Sequence, residues 1–157
     1  MIVETAAETH VLPGGISAVD DVEVREVWER LKADPAAVLI DVRTRAEWTF
    51  VGLPDLTPLS KRVVTVEWQT AGPAGTDLAF EQRLMAVLGD INAGPETGLY
   101  FICRSGSRSR MAAEAMAELG FTRCYNVADG FEGPLDAERH RGRLGGWKAA
   151  GLAWVQG

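Results

Sequence analysis

The chain has 157 residues, of which 46% are hydrophobic and 24% are charged, and its formal net charge is −6. These values are typical of a single globular domain with a sizeable core. The acidic balance argues against nucleic acid or a membrane surface as a partner, but it leaves room for a small anion in a local positive pocket. With two cysteines and two histidines, a disulfide framework or a zinc site is not expected, and we expect no metal and no cofactor.

The beginning of the chain does not have the pattern of a signal peptide. "MIVETAAETH" lacks a basic segment followed by an apolar one, and no apolar run in the chain reaches membrane-spanning length. We therefore expect a cytoplasmic protein whose thiols stay reduced. Residues 1–20 are weakly patterned and contain "PGG", so we interpret them as a flexible N-terminal arm before a domain at 21–157.

Helices and strands alternate along this domain. The first helix is predicted from Val24, where apolar residues recur at helical spacing, to Asp34, which precedes a proline. The continuous apolar run at 37–42 predicts a strand that is buried on both faces. A short helix is expected over 46–50, and "RVVTVEW" at 62–68 predicts another strand.

The second half continues the alternation. Thr76 or Asp77 offers an N-cap for a helix whose apolar face is formed by Phe80, Leu84, Val87 and Leu88. Strands are predicted at 98–102 and 124–127. The helix between them is expected to end at Gly120, with Phe121 packing back onto it. Its inward residues are predicted to be Met111, Ala112, Ala115, Met116 and Leu119.

Cys103 lies where such a fold places chemistry. Strands that alternate with helices predict an α/β domain with a parallel sheet, and ligands bind such sheets beyond the carboxyl ends of the strands. Cys103 follows the predicted strand at 98–102 and precedes a helix that begins near Ser107. A cysteine has a pKa of about 8.5, which falls at helix N-termini or beside arginine. Gly106 allows a tight turn in which successive backbone N–H groups form an anion site.

Arginines supply positive potential around this thiol, and they are Arg104, Arg108 and Arg110. A cysteine that follows a buried strand is by itself most often an inert core residue. The glycine, the serines, the arginines and the helix start favour a nucleophile at Cys103. Cys124 has no such surroundings, and we interpret it as a core residue.

The chain resembles the single-domain rhodaneses, a sulfurtransferase family. The resemblance is carried by "LIDVRTRAEW", "FICRSGSRSRMAAEAMAELGF", "YNVADGFEG" and "GGWKAAGL", which begin at residues 39, 101, 125 and 145. It implies a rhodanese-like fold with a central five-stranded parallel sheet flanked by helices on both faces. It also implies an enzyme of the thiosulfate:cyanide sulfurtransferase type. A small anionic donor such as thiosulfate would pass a sulfane sulfur to Cys103, and cyanide or a thiol would remove it from the persulfide.

The resemblance also implies the site residues. Backbone N–H groups would bind the transferred sulfur, from Arg104, Ser105, Gly106, Ser107, Arg108 and Ser109. The side chain of Arg108 would order the loop or meet the donor. Asp41 and Arg43 are expected to form a buried ion pair that supports the site, whereas Glu47 and Trp48 are interpreted as packing or surface residues.

The chain departs from the family pattern at two places. "VGLPDL" at 51–56 has no histidine, and a long segment at 129–144 precedes Gly145 and Gly146. One hypothesis is that this segment covers the site and selects the donor or the acceptor. The alternative is that its basic residues form a solvated face. Trp147 and Trp154 are interpreted as packing anchors.

Two other functions stay open at this point. Rhodanese-like phosphatases and arsenate reductases have a longer Cys-x5-Arg loop, whereas here the arginine after the glycine is Arg108, and Ser109 occupies the next position. A regulatory binding module would not need the cysteine, which this chain retains. A sulfur carrier that serves a dedicated acceptor protein lies between a binding module and an enzyme.

Overall fold

The computed structural model describes residues 9–11, 17–68 and 79–156. Its strands are β1 (Thr9–Val11), β2 (Ser17–Val22), β3 (Val38–Asp41), β4 (Leu53–Pro54), β5 (Val64–Thr65), β6 (Leu99–Ile102), β7 (Cys124–Val127) and β8 (Trp154–Val155). Its α-helices are α1 (Val24–Ala33), α2 (Arg45–Phe50), α3 (Phe80–Asp90), α4 (Ser107–Glu118) and α5 (Gly146–Ala149). A 3-10 turn lies at Thr57–Leu59.

The main sheet has the strand order β1-β2-β7-β6-β3-β5. The five strands from β2 to β5 in this order pair in parallel, and β1 adds an antiparallel strand at one edge. The predicted five-stranded parallel sheet is therefore confirmed. Asp41 is paired in register with Ile102, so the carboxyl ends of β3 and β6 are level. That register places Arg43 and Cys103, which follow these strands, at the same edge of the sheet.

Helices cover both faces of the sheet, as predicted. Alternate residues of β6 point to opposite faces. Phe101 packs in a core with α3 and α4, whereas Ile102 packs in a second core with α1 and α5. Leu31 of α1 is fully buried in the second core, and burying a leucine of this kind contributes about 1.5–3 kcal/mol. Trp147 is also fully buried there, which confirms its prediction as a packing anchor.

The buried face of α4 differs in part from its prediction. Ala112 and Met116 are buried, but Met111 and Leu119 are exposed. Ala113 and Ala117, which were not predicted to point inward, are buried beside them, and these small residues let the helix lie close to the sheet. Phe121 does pack back, because it is buried and its N–H donates to the Met116 carbonyl.

The N-terminal part of the sheet was missed by the sequence analysis. Ser17–Val22 forms a strand of the parallel sheet, and Thr9–Val11 pairs with it. Both strands include residues from the segment 1–20 that was interpreted as an arm. The rest of that segment, 1–8 and 12–16, lies outside the described residues, as do the suggested N-caps Thr76 and Asp77. The strand predicted at 62–68 is reduced to Val64–Thr65.

The buried thiol of Cys124 leads to a prediction about the stability of the fold at alkaline pH. Burial raises the pKa of the Cys124 thiol from 9.0 to about 12. The unfolded chain loses this proton first, so the stabilisation is complete below pH 9 and is lost as the pH rises towards 12. Between about pH 8 and about pH 10, we expect the wild-type protein to lose about 1 kcal/mol more unfolding free energy than Cys124→Ser, measured by urea unfolding.

The serine in this variant keeps a donor for the Phe121 carbonyl, which the Cys124 thiol contacts at 3.4 Å. Parallel stability curves for the two proteins over this pH range would contradict the prediction.

Candidate functional site

Cys103 directly follows β6 at the carboxyl edge of the sheet, and the whole residue is only 1% exposed. Its Sγ accepts hydrogen bonds from the backbone N–H groups of Gly106, at 3.2 Å, and Ser109, at 3.3 Å. The Ser109 hydroxyl oxygen lies 3.1 Å from the same sulfur. The thiol therefore borders the apolar core but has a polar wall on its other side.

The turn that aims these N–H groups depends on Gly106. Gly106 is the N-cap of α4 and has a φ of +115°, in the left-handed region that glycine adopts without strain. A Cβ at this position would meet its nearest neighbour at 3.6 Å, so backbone conformation and not space requires the glycine. The first turn of α4 thus starts beside the sulfur with its N–H groups not yet used by the helix.

The structure brings two of the six predicted N–H groups onto the sulfur itself. No acceptor is assigned, among the described residues, to the backbone N–H groups of Arg104, Ser105, Ser107 and Arg108. They belong to the cysteine loop, residues 103–108, and to the first helical turn. They are therefore available as donors to an anion, in the same loop as the sulfur.

A second segment holds the cysteine loop in place through main-chain hydrogen bonds. The Phe131 N–H donates to the Cys103 carbonyl at 2.8 Å, and the Glu132 N–H donates to the Arg104 carbonyl at 2.9 Å. Gly130 passes so close that a Cβ there would lie 2.4 Å from the Cys103 carbonyl oxygen. Residues 129–133, called the platform segment below, thus hold the loop through its main chain. The glycines of "DGFEG" were the sequence signal available for this role, but the resemblance assigned no role to them.

Arg108 is held by Glu47 of α2. The guanidinium donates to both carboxylate oxygens, at 2.8 and 2.9 Å, and both side chains are about one-fifth exposed. Glu47 also forms a capping box with Thr44, which begins α2. The interpretation of Glu47 as a packing or surface residue was therefore wrong, since its carboxylate joins α2 to the cysteine loop.

The surroundings of Glu47 favour its charged form. Burial alone would raise the pKa of its carboxyl, but the hydrogen bonds from Arg108 and Thr44 outweigh burial and lower the pKa from 4.5 to about 2. The hydrogen bond with Glu47 in turn raises the pKa of Arg108. The pair is therefore ionised at neutral pH, and the positive charge of Arg108 is largely matched.

The predicted ion pair between Asp41 and Arg43 is present and fully buried, with Nη2 and Oδ2 separated by 2.7 Å. The same Nη2 donates to the Gly52 carbonyl at 2.7 Å, and the guanidinium lies 4.3 Å from the centre of the Phe131 ring. Arg43 Nη1 has no hydrogen-bond partner within the part of the chain that is described. The pair thus joins the end of β3 to the turn that follows α2 and to the platform segment.

The side chains of the other arginines near the site point in different directions. The Arg104 side chain is exposed. Arg110 points away from the sulfur, because it donates to the Val19 carbonyl at 2.9 Å and pairs with Asp21. Arg141 donates to the Gly133 carbonyl at 2.8 Å, which holds the later part of the long segment 129–144 against its own first part, the platform segment.

One arginine of the basic run in this long segment is engaged with acidic neighbours. Arg143 pairs with Asp136 and Glu138, at 3.3 and 2.8 Å.

Trp154 is 39% exposed, and the Lys148 amine lies 4.0 Å from the centre of its ring. Asp136, Glu138 and His140 place one ligand atom each within 4.8 Å of one another. The Asp136 carboxylate already accepts the N–H groups of Glu138 and His140, which is the pattern of a turn.

A parallel sheet with a cysteine loop leading into α4 defines a protein of rhodanese-like fold. The chain belongs to the family described as the STR4 middle domain, whose model matches residues 20–157. The crystal structure of Rv0390 from M. tuberculosis shares 49% sequence identity with the chain, with a TM-score of 0.73, and the match covers 89% of this chain and 99% of that one.

Other relatives are more distant. The polysulfide-sulfur transferase homodimer of Wolinella succinogenes is 21% identical and has a TM-score of 0.58, over 88% of this chain and 80% of that one. "Uncharacterized protein RC0915" of Rickettsia conorii is 34% identical over 87% of this chain and 98% of its own length. Rhodanese-like domain-containing protein 4 of Arabidopsis thaliana, a chloroplastic protein, is 29% identical, and the match covers 84% of this chain and 25% of that protein.

One further feature concerns membranes. Among the residues that the structure describes, no helix is both long enough and apolar enough to span a bilayer.

The lowered pKa of Glu47 leads to a prediction about the unfolding free energy at acidic pH. Because the pKa of Glu47 is lowered in the folded protein, its stabilisation is present above pH 4.5 and is lost as the pH falls towards 2. We expect Glu47→Gln to lower the unfolding free energy by about 1–2 kcal/mol at pH 7, with a difference from wild type that shrinks towards about pH 2. Urea unfolding across this range measures both.

Glu29→Gln, at an exposed position of α1, is the matched control and is expected to change little. A Glu47→Gln deficit that stays constant down to low pH would show that the ion pair does not stabilise the fold.

Proposed function

We propose that the protein is a sulfurtransferase that moves a sulfane sulfur from a donor such as thiosulfate to a thiophilic acceptor, through a persulfide on Cys103. The observation that carries the proposal is the pair of backbone N–H groups directed at Cys103 Sγ, at 3.2 and 3.3 Å. Four more N–H groups of the same loop and helical turn have no assigned acceptor in the described part of the chain. Such donors stabilise a developing anion without reorganisation.

In the first step the Cys103 thiolate attacks the outer sulfur of thiosulfate. The bond between that sulfur and the sulfite group breaks, and its electron pair leaves with sulfite. Sγ becomes a neutral, two-bonded sulfur, and the negative charge moves to the terminal sulfur of the persulfide. The unused N–H groups of the cysteine loop are the donors that we assign to this terminal sulfur.

In the second step the acceptor, cyanide or a cellular thiolate, attacks the terminal sulfur. The bond between the two sulfurs breaks and its electron pair returns to Sγ as a thiolate. With cyanide the product is thiocyanate, and the charges balance. Dividing the transfer into two displacements is the advantage of a covalent intermediate, and it needs no base beside Cys103.

Arg108 orders the cysteine loop in this proposal. Its guanidinium is bidentate to Glu47, so little of its charge is left for a donor. Arg104, whose side chain is exposed, is the arginine that we assign to meeting an anionic donor at the mouth of the site. The donor must be narrow at its reacting end, since Cys103 is almost completely buried.

The arginine geometry disfavours a phosphatase or an arsenate reductase. Those enzymes need a guanidinium on the bound oxyanion, whereas Arg108 is paired with Glu47 and Arg110 with Asp21. A sulfur carrier that serves an acceptor protein uses the same persulfide, and its distinguishing property is the acceptor. We propose a reducing cytoplasm as the compartment, because both cysteines are free thiols.

The central prediction concerns the mass of the protein. After incubation with thiosulfate and removal of excess donor, we expect the intact wild-type protein to gain one sulfur atom and to lose it when cyanide is added. Cys103→Ser is expected to abolish both the gain and thiocyanate production. Cys124→Ser is the control and is expected to retain them, because that thiol is a protonated core residue. Sulfur gain by the Cys103 variant would end the proposal. Hydrolysis of an aryl phosphate, tested beside it, would support the phosphatase instead.

A second prediction separates the two arginines of α4. We expect Arg108→Ala to weaken thiosulfate handling more than Arg110→Ala does, seen as a larger loss of kcat/KM for thiosulfate. The physical reason is that removing Arg108 frees the cysteine loop from Glu47, whereas Arg110 contacts β2 at some remove from the sulfur. If the sensitivities are reversed, the ordering role belongs to Arg110.

A further inference from the structure

The Ser109 hydroxyl has two partners and one proton. Its oxygen lies 3.1 Å from Cys103 Sγ and 2.6 Å from Asn126 Oδ1. Ser109 is fully buried and Asn126 is 4% exposed, so water does not compete for these contacts. A hydroxyl donates one hydrogen bond at a time, so the proton faces either the sulfur or the amide oxygen.

The orientation of Asn126 decides which partner the hydroxyl serves at rest. Asn126 Nδ2 donates to Asp21 Oδ1 at 2.9 Å, and a carboxylate can only accept. Asp21 is also paired with Arg110. The two residues face each other because Asp21 and Asn126 are partners in the register of β2 and β7. The amide oxygen must therefore face Ser109, and the hydroxyl proton lies between Ser109 and Asn126.

We propose that the Ser109 hydroxyl is a rotating donor, which turns from Asn126 to Cys103 Sγ when that sulfur becomes a thiolate. Asn126 and Asp21 act as positioning residues, because they set how readily the hydroxyl turns. The inference rests on the proposed function at one point, namely that Sγ is the leaving group when the persulfide gives up its outer sulfur. As the bond between the sulfurs breaks, its electron pair localises on Sγ. The Ser109 proton stays on its own oxygen and only changes direction.

Charged groups around the sulfur do not change in this switch. They are Arg108, the buried pair of Asp41 and Arg43 after β3, Glu47 on α2, and Asp21 and Arg110. Substitutions at Ser109 and Asn126 alter none of these charges. A change in the reactivity of Cys103 in those variants thus reports on the hydrogen-bond switch.

The test uses the full chain with Cys124→Ser as the background, so that only Cys103 can react. The rate of alkylation by iodoacetamide at pH 7, with no sulfur donor present, reports the fraction of Cys103 that is thiolate. Ser109→Ala removes the donor, and we expect alkylation to slow about tenfold, equivalent to about 1.4 kcal/mol. Ser109→Thr keeps the hydroxyl and is expected to restore most of the rate.

Substitutions at the positioning residues should act in the opposite direction. Asn126→Ala removes the competing acceptor, so the hydroxyl is left to the sulfur and alkylation is expected to rise roughly threefold. Asp21→Ala frees the Asn126 amide to turn its Nδ2 towards Ser109, with the same expected rise. The Asp21 side chain is 53% exposed, so this variant keeps the test valid if Asn126→Ala does not fold.

Asp21→Ala also removes a negative charge, and Glu114→Gln is its matched control. Glu114 lies 4.0 Å from Arg110 and has no assigned contact with Asn126 among the described residues, so its removal leaves the Asn126 amide in place. We expect Glu114→Gln to change alkylation less than twofold. An effect equal to that of Asp21→Ala would assign the rise to charge alone and overturn the switch.

A second readout follows the leaving group directly. In single-turnover experiments, loss of the persulfide sulfur to cyanide is expected to slow about tenfold in Ser109→Ala. An unchanged alkylation rate in Ser109→Ala would overturn the inference. Slower alkylation in Ser109→Ala, Asn126→Ala and Asp21→Ala alike would also overturn it, since a purely structural role would slow all three. If the wild-type protein gains no sulfur from thiosulfate, the proposed function fails. The ranking of alkylation rates among the variants still tests the hydrogen-bond switch in that case.

Discussion

The chemistry depends on how the main chain around Cys103 is directed. Two N–H groups point at its sulfur because Gly106 adopts a left-handed conformation and begins α4 there. The carbonyls of Cys103 and Arg104, which face the other way, are held by the platform segment. A loop fixed on both its donor and its acceptor side keeps the sulfur in one position. The N–H groups that we propose as anion donors are therefore in position before any ligand arrives.

The arginines of the site serve architecture more than anion binding. Asp41 pairs with Arg43, Glu47 with Arg108, and Asp21 with Arg110. Each pair joins a separate element, β3, α2 or β2, to the edge where Cys103 lies. Since these charges are matched, the partial charges of backbone N–H groups and the exposed Arg104 supply the positive field left for a ligand. This arrangement suits the small anionic donor that we propose for an acidic chain.

The fold was largely predictable, whereas the side-chain partners were not. Apolar runs such as 37–42 and 98–102 predict buried parallel strands because both of their faces are covered. Ser17–Val22 escaped notice because "SAVDDV" contains three polar residues and joins the sheet through its main chain. The partnership of Arg108 with Glu47 joins residues 61 positions apart, and no local pattern reports such a contact. Asn126 was hidden for the same reason, since its role requires the register of β2 against β7.

Polarity, and not exposure, separates the two thiols. Cys103 and Cys124 are each 1% exposed, so accessibility alone gives no reason to prefer one as a nucleophile. Cys124 lies in the apolar core, where its thiol contacts the Phe121 carbonyl, an acceptor, and burial raises its pKa to about 12, which keeps it a thiol. Cys103 lies among two N–H groups and a hydroxyl whose proton can turn towards it. A buried sulfur can act as both nucleophile and leaving group only where such donors replace water, and in the described structure that condition is met at the end of β6.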